Sequence, residues 1–220
     1  MAIPVPYLTI EEYLTAEQKN QNRHEYIGGQ IFAMADGSKQ HNQICLNIAS
    51  LLRFHVRGTG CTTFMSDMKV KIPLQDKADI FYYPDVVVTC SQDDQERFFL
   101  DYPCLIIEVL SPGTEAIDKR EKRINYQTLN SLQEYILVSQ DEISLEVYRK
   151  NIQGIWIVET LDKEDKLQLD SVGLTLNVQD IYEDVFFYEL DKKYKKNIIQ
   201  ILISIAYMKW QIILKKTQIN

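Results

Sequence analysis

Tyr83-Pro84-Asp85-Val86-Val87-Val88 and Cys104-Leu105-Ile106-Ile107-Glu108-Val109-Leu110 are the two runs that decide the fold. Both are almost continuous in apolar, β-prone residues, the pattern of strands buried on both faces and hence central in a sheet that helices cover. Each also carries an acid. Asp85 reads as a strand-end residue, where turn formers and salt-bridge partners are common. Glu108 lies inside its run, and a carboxylate among apolar neighbours is costly unless it is paired or bound to a cation. A Ser111-Pro112-Gly113-Thr114 turn follows, and then a charge-dense helical stretch from Glu115 to Asn130.

Working outward, Thr9-Ile10-Glu11-Glu12 forms a capping box that opens a short helix to Lys19. Arg23 to Met34 holds two β-prone runs joined at Gly28-Gly29, a hairpin signal, with Glu25 on or beside its first strand. Ser38 to Val56 is the clearest long helix and ends at Gly58-Thr59-Gly60. Cys61 to Ile72 leans towards alternation and reads as one strand with Ser66, Lys69 and Lys71 on its polar face and Asp67 within it. After the charged helix, Glu134 to Val138, Ile143 to Tyr148 and Ile155 to Thr160 suggest an antiparallel meander at the sheet edge. Leu167 to Val178 alternates across Gly173, and Ile181 to Tyr188 forms a last short element.

The 220 residues suit one domain, taken as 1–190, with an extension over 191–220. That extension carries Lys192-Lys193-Tyr194-Lys195-Lys196 and then a stripe of isoleucines and leucines. Polar residues interrupt the stripe too often for a transmembrane span, so it reads first as a terminal helix packed on the body or on a partner subunit, with a membrane-surface helix and a poorly ordered extension without a function of its own as the alternatives. Its seven lysines and one aspartate leave residues 1–190 with a net charge of −13, out of −7 for the whole chain. A body so acidic does not attract nucleic acid through bulk electrostatics, and any phosphate contact must come from a local basic patch or from metal held by the acids. The start has no secretory signal, which suggests a cytoplasmic protein. Cys45, Cys61, Cys90 and Cys104 lack any CxxC or CxxH spacing and read as reduced, buried thiols.

Hydrolysing a phosphodiester needs neutralisation of charge on the phosphoryl oxygens and a hydroxide near neutral pH, and a divalent metal supplies both. Mg2+ takes oxygen ligands and is often held by one or two carboxylates. Asp85 and Glu108, on strands read as adjacent, are the candidate pair. In the following helix Glu115, Asp118, Lys122 and Tyr126 fall within an arc of about 80° at 100° per residue, so one face carries acid, acid, base and phenol. Lys122 is the candidate catalytic lysine. Lys119, Arg120 and Arg123 lie off that stripe and are the candidates for phosphate contacts. Taken alone, the same charges could be i, i+4 pairs such as Asp118 with Lys122 on a solvated face.

The residues Tyr83-Pro84-Asp85, Glu108-Val109-Leu110-Ser111-Pro112, Asp118-Lys119-Arg120-Glu121-Lys122 and Tyr126 resemble the restriction-endonuclease-like group called the Uma family, a branch of the PD-(D/E)XK nuclease superfamily. The likeness extends to Thr9-Ile10-Glu11-Glu12-Tyr13, Glu25-Tyr26-Ile27-Gly28-Gly29-Gln30-Ile31, His41, Ser66-Asp67-Met68-Lys69-Val70 and Glu134-Tyr135-Ile136-Leu137-Val138, and so to roughly residues 7–188. It implies an α/β fold with a central mixed sheet, and a metal-dependent endonuclease hydrolysing DNA with Mg2+ or Mn2+. The metal would be held by Asp85 and Glu108, helped by the main-chain carbonyl of Val109 and by Glu25 as an additional acid. The superfamily's usual lysine position, two after the acid, is Leu110 here, and the family's displaced lysine matches Lys122. His41 is similar to a recurrent histidine of the family, though its helical position gives it a packing role first. A homodimer is implied by the resemblance only. Two rivals are a non-catalytic module that keeps the fold to bind nucleic acid or protein, and a metal-dependent hydrolase of another substrate.

Overall fold

In the computed structural model, which describes residues 7–34, 37–74 and 79–187, the chain opens as its capping box dictates. Glu12 N donates to Thr9 Oγ1 at 3.2 Å and Thr9 N to Glu12 Oε2 at 2.8 Å, which starts helix α1, Ile10–Glu17. Strands β1 (His24–Ile27) and β2 (Gln30–Ala33) form the expected antiparallel hairpin. Gly28 and Gly29 turn it at φ 55° and 95°, the paired positive values that favour glycine in a two-residue loop. Ser38 caps α2 (Lys39–His55) by accepting from His41 N at 3.0 Å, and α2 buries the stripe Ile44, Cys45, Ile48 and Leu52.

The single strand expected over 61–72 is two strands, β3 (Thr62–Met65) and β4 (Lys69–Ile72), which belong to different sheets. Ser66 makes the break at φ 62°, pinned by a bond from its N–H to Asp85 O at 2.9 Å. Asp67 therefore lies in the crossing. Tyr83-Pro84-Asp85 is likewise a link, from β5 (Ile80–Tyr82) to β6 (Val86–Thr89), so Asp85 precedes a strand. The charged loop that follows contains the short β7 (Phe99–Leu100), and β8 (Pro103–Leu110) is buried at every position.

The charged helix is not uniform: α3 (Glu115–Ile117) leads into a π-helical segment, Asp118–Lys122, and then α4 (Arg123–Tyr126). The meander is present as β9 (Glu134–Ser139), β10 (Leu145–Lys150) and β11 (Trp156–Leu161). The ribbon β12 (Lys166–Leu169) and β13 (Leu174–Asn177) and the short α5 (Val178–Ile181) complete the first compact unit, which ends at Val185. Residues 191–220, Tyr188 and the turn residues 75–78 lie outside the described residues. No helix among the described residues is long and apolar enough to cross a membrane.

The expected mixed sheet has the order β11-β10-β9-β8-β6-β3, with β8 parallel to β9 and antiparallel to β6. A second sheet, β2-β1-β5-β4-β7, stands beside it. Helix α2 lies against β3, β6 and β8. The main core joins Val87, Ile106 and Leu137 of the first sheet to Val70, Ile80 and Tyr82 of the second, with Tyr126 and Leu129 from the helical segment. Fully burying such a side chain contributes about 1.5–3 kcal/mol. Tyr82, Tyr126 and Tyr135 pack ring to ring at 5.5 Å each, which fixes the helical segment over the sheet.

The cysteines correct the expectation of four reduced thiols. Thr62 pairs with Thr89 across β3 and β6, so Cys61 and Cys90, one residue further out, face each other with Cα atoms 4.0 Å apart and form a disulfide. Cys45 and Cys104 are free and buried.

Candidate active site

Pairing of Val86 with Ile107 between β6 and β8 puts Asp85 beside Glu108 at one end of the sheet. Asp85 N donates to Glu108 Oε2 at 3.1 Å. Asp85 Oδ2 accepts from Val109 N at 2.7 Å and lies 3.1 Å from His41 Nε2. The Val109 amide is thus the group that meets Asp85. His41 does more than pack: it reaches from the first turn of α2 to the acid.

Of the four residues expected on one helix face, three point at Glu108. Lys122 Nζ lies 2.8 Å from Glu25 Oε1, 3.4 Å from Asp118 Oδ1 and 3.5 Å from Glu108 Oε1. Tyr126 donates its hydroxyl to Glu108 Oε1 at 3.3 Å. Glu115 turns away and pairs with Lys119. The π-helical segment buries both Asp118 and Lys122, and such wide turns recur at functional sites. Tyr82, which sequence reasoning passed over, sets its ring 5.4 Å from Lys122 Nζ. Its hydroxyl donates to Glu121 Oε1 at 3.1 Å and accepts from Asn125 Nδ2 at 2.8 Å.

Glu108 is 3% exposed, Asp118 2% and Lys122 7%. Burial holds the Glu108 carboxyl well above the usual carboxylate range, against the pull of Lys122. Asp118 is raised for the same reason. Burial also works against the charge on Lys122, but Glu108, Glu25 and Asp118 together keep its pKa well above the ordinary lysine value. For His41 burial lowers and the Asp85 hydrogen bond raises, and the net shift is upward. The site opens into a cavity of about 440 Å3 walled by Glu25, Asp85, Glu108, Lys122 and the apolar Phe32 and Ile117.

Lys119, Arg120 and Arg123 do not line this cavity. Lys119 Nζ is held by Glu115 Oε1 at 2.9 Å and Glu146 Oε1 at 2.8 Å. Arg123 donates from Nε to the Lys119 carbonyl at 2.9 Å and lies 5.0 Å over the Tyr148 ring. Arg120 is exposed.

Cys45 Sγ sits 3.6 Å from His41 Nδ1, so cysteine, histidine and aspartate stand in line, and their ligand atoms all fall within 4.8 Å of one another. Burial pushes the Cys45 thiol far above its ordinary pKa, so without a metal it stays a protonated thiol and not a thiolate nucleophile. It completes the hydrogen bonding of the imidazole that orients Asp85. The spacing of His41 and Cys45, one helical turn apart, was the signal available for it.

Two sheets sharing a core, an Asp–Glu pair at the end of the central strands and a lysine from the next helix define a restriction-endonuclease-like architecture. The family described as "Uma2: Putative restriction endonuclease" matches residues 10–179, and the chain belongs to it. An uncharacterized protein of Synechocystis sp., slr1290, is 40% identical over 185 residues, which is 84% of this chain and 96% of that protein. A second from the same organism, sll1609, is 32% identical over 161 residues, 72% of this chain and 89% of that protein. Among solved structures, one described as a putative nuclease belonging to DUF820 from Anabaena variabilis superposes with a TM-score of 0.66 at 20% identity, covering 81% of this chain and 99% of that one. Family membership makes nuclease the class of activity.

Proposed function

We propose that the protein is a metal-dependent endonuclease that hydrolyses DNA phosphodiester bonds in the cavity of Asp85 and Glu108. The observation that carries this reading is the convergence of Glu25, Glu108 and Asp118 on a single buried ammonium, Lys122, with Asp85 beside Glu108 in the same open cavity. Four carboxyls share this cavity with one lysine, and burial raises two of them, Glu108 and Asp118, so that a cation binding there would displace protons as well as gain oxygen ligands. Asp118 Oδ1 is buried with the Lys122 ammonium at 3.4 Å and makes no hydrogen bond among the described residues. Such an oxygen-rich set fits Mg2+ or Mn2+.

Asp85 and Glu108 would hold the ion, with Glu25 in support. The ion would supply charge neutralisation and a hydroxide near neutral pH. His41 and Val109 N occupy Asp85 Oδ2 and so fix the rotamer of that carboxylate. Lys122 offers three donors on one charged nitrogen, suited to orienting the attacking water and stabilising the phosphoryl oxygens. Tyr126 steadies Glu108 by donating to Oε1, the oxygen that also faces Lys122. In the homodimer that the family resemblance implies, two such cavities would serve the two strands of a duplex.

The test is to incubate wild type and the variants Asp85→Asn, Glu108→Gln and Lys122→Met with plasmid and oligonucleotide DNA, with Mg2+, with Mn2+ and with a chelator. Metal-dependent cleavage lost in all three variants is expected. Equal cleavage in wild type and variants sinks the site. Absence of both cleavage and calorimetric metal binding in wild type favours a binding module on the nuclease fold.

A further inference from the structure

With Lys119 and Arg123 tied up on the far flank of their helix, a polyanionic substrate needs another hold on this acidic body. The molecule offers one at the opposite end of α2. There a cavity of about 630 Å3 is walled by Arg53 and Arg57, by Thr62 at the start of β3, and by Gln92, Gln95 and Arg97 from the charged loop. All three arginines are exposed, and among the described residues none has a carboxylate at ion-pair distance. That sets them apart from Lys71, Lys119 and Arg149, each of which meets two partners.

Two acids share the wall. Asp94 is turned inward: its Oδ1 accepts from Asp101 N and Tyr102 N, and its Oδ2 from the Thr89 hydroxyl. Glu96 is exposed. Beside the arginines stand two exposed rings, Phe54 and Phe98, the latter 5.1 Å from the Arg97 guanidinium. Planar guanidinium forks match phosphate in a bidentate way, and glutamine and threonine side chains add neutral donors.

We propose that this arginine-lined cavity is a second contact for the phosphate backbone of the nucleic-acid substrate. It rests on the nuclease reading above. Arg53 lies twelve residues along α2 from His41, or about 18 Å at 1.5 Å per residue, which is on the order of five base pairs of duplex at 3.4 Å per step. The edge strand β3 spans the interval, paired on one side only, from Thr62 at the arginine cavity to Ser66 beside Asp85. Cleavage chemistry and substrate retention are thereby placed at opposite ends of one strand.

The experiment measures duplex binding by fluorescence anisotropy between about 50 and 200 mM salt. It compares the full-length protein, the triple variant Arg53→Gln/Arg57→Gln/Arg97→Gln and the matching triple arginine-to-lysine variant. Removing three phosphate contacts should lower the slope of log K against log salt by about 2.7 and weaken binding by about tenfold or more at the lower salt. The lysine variant should keep most of the slope, and the glutamine variant should raise KM while leaving kcat and the melting temperature unchanged. Unchanged affinity and slope in the glutamine variant, with wild type binding and cleaving normally, overturn this proposal alone. Failure of wild type to bind any duplex or single strand overturns it together with the nuclease reading. Loss of acidic-peptide binding in the glutamine variant with DNA affinity intact also overturns it and assigns the cavity to a protein partner.

Discussion

Lys122 Nζ stands closer to Glu25 Oε1, at 2.8 Å, than to Asp118 of its own helix at 3.4 Å or to Glu108 at 3.5 Å. Lys122 is therefore paired with the β1 hairpin as well as with its own helix, and on the nuclease reading Glu25 would place the lysine besides supporting the ion. Glu25→Gln keeps the shape and a weaker hydrogen bond, so the expected loss in kcat is about 10- to 100-fold, typical of a supporting partner. Lys122→Met should cost about 100- to 1000-fold, as for removal of one charge-stabilising donor. It also leaves the buried Glu108 and Asp118 and the half-buried Glu25 without their cation, a destabilisation of about 3–5 kcal/mol for breaking a buried pair. Single-turnover cleavage and urea melts of both variants and of the double variant check this. Additive losses in the double variant would separate the two residues.

His41 is placed to act on metal affinity through Asp85. His41→Ala should weaken Mn2+ binding about 10- to 100-fold in calorimetry, with little change in the melting temperature of the metal-free protein. Gln carries an amide nitrogen that can donate to Asp85 Oδ2, so His41→Gln should recover much of the loss. Cys45→Ala should leave binding close to wild type, because the thiol contacts only the far side of the imidazole. If His41→Ala binds Mn2+ as wild type does while Asp85→Asn loses it, the histidine has no part in holding the acid.

What could be read from the residues follows from the range of the forces involved. The capping box at Thr9, the Gly28-Gly29 turn and the buried runs through Val87 and Ile106 are local patterns, and each produced the element expected. Asp118, Lys122 and Tyr126 share a face because they are four residues apart, close to one turn of an α- or a π-helix, while Glu115 lies before the π-helical segment and turns to Lys119. The break at Ser66 was illegible, since alternation continues through it and a left-handed serine has no sequence mark. The second sheet was hidden for the same reason. Cys61 with Cys90, and Arg53 and Arg57 with Arg97, are brought together only by tertiary structure, so no spacing rule could pair them.

The thiols make a simple count. With Cys61 and Cys90 joined, and Cys45 and Cys104 buried, protein purified without reductant should show no thiol that reacts quickly in the native state. Burial pushes Cys104 up to about 11 and Cys45 higher still, so both stay protonated near pH 8. Unfolding should expose two thiols, and unfolding after reduction all four. Four thiols in the unfolded, unreduced protein would mean that the cross-strand pair is open, as a reducing cytoplasm favours.

Lys69 is buried on β4 with its Nζ donating to Tyr83 Oη at 3.2 Å and 4.9 Å from that ring, and with no carboxylate at ion-pair distance among the described residues. Burial lowers its pKa, only partly offset by the pull of Glu17. A lysine whose folded pKa lies below its unfolded value near 10.4 binds fewer protons in the native state between those two values, so its contribution to stability rises with pH across that window. Below the window the buried charge is a standing cost. Tyr83 Oη also donates to Glu17 Oε1 at 3.1 Å, so removing the ammonium leaves the phenol partnered. Lys69→Met should therefore be more stable than wild type at pH 7 by on the order of 1 kcal/mol, which is about 2–4 °C in melting temperature for a chain of this size. The gain should shrink as the pH is raised towards 10. Urea denaturation of both proteins at pH 7 and pH 10 decides it: a gain of the same size at both values would trace to packing of the methionine and not to the buried charge.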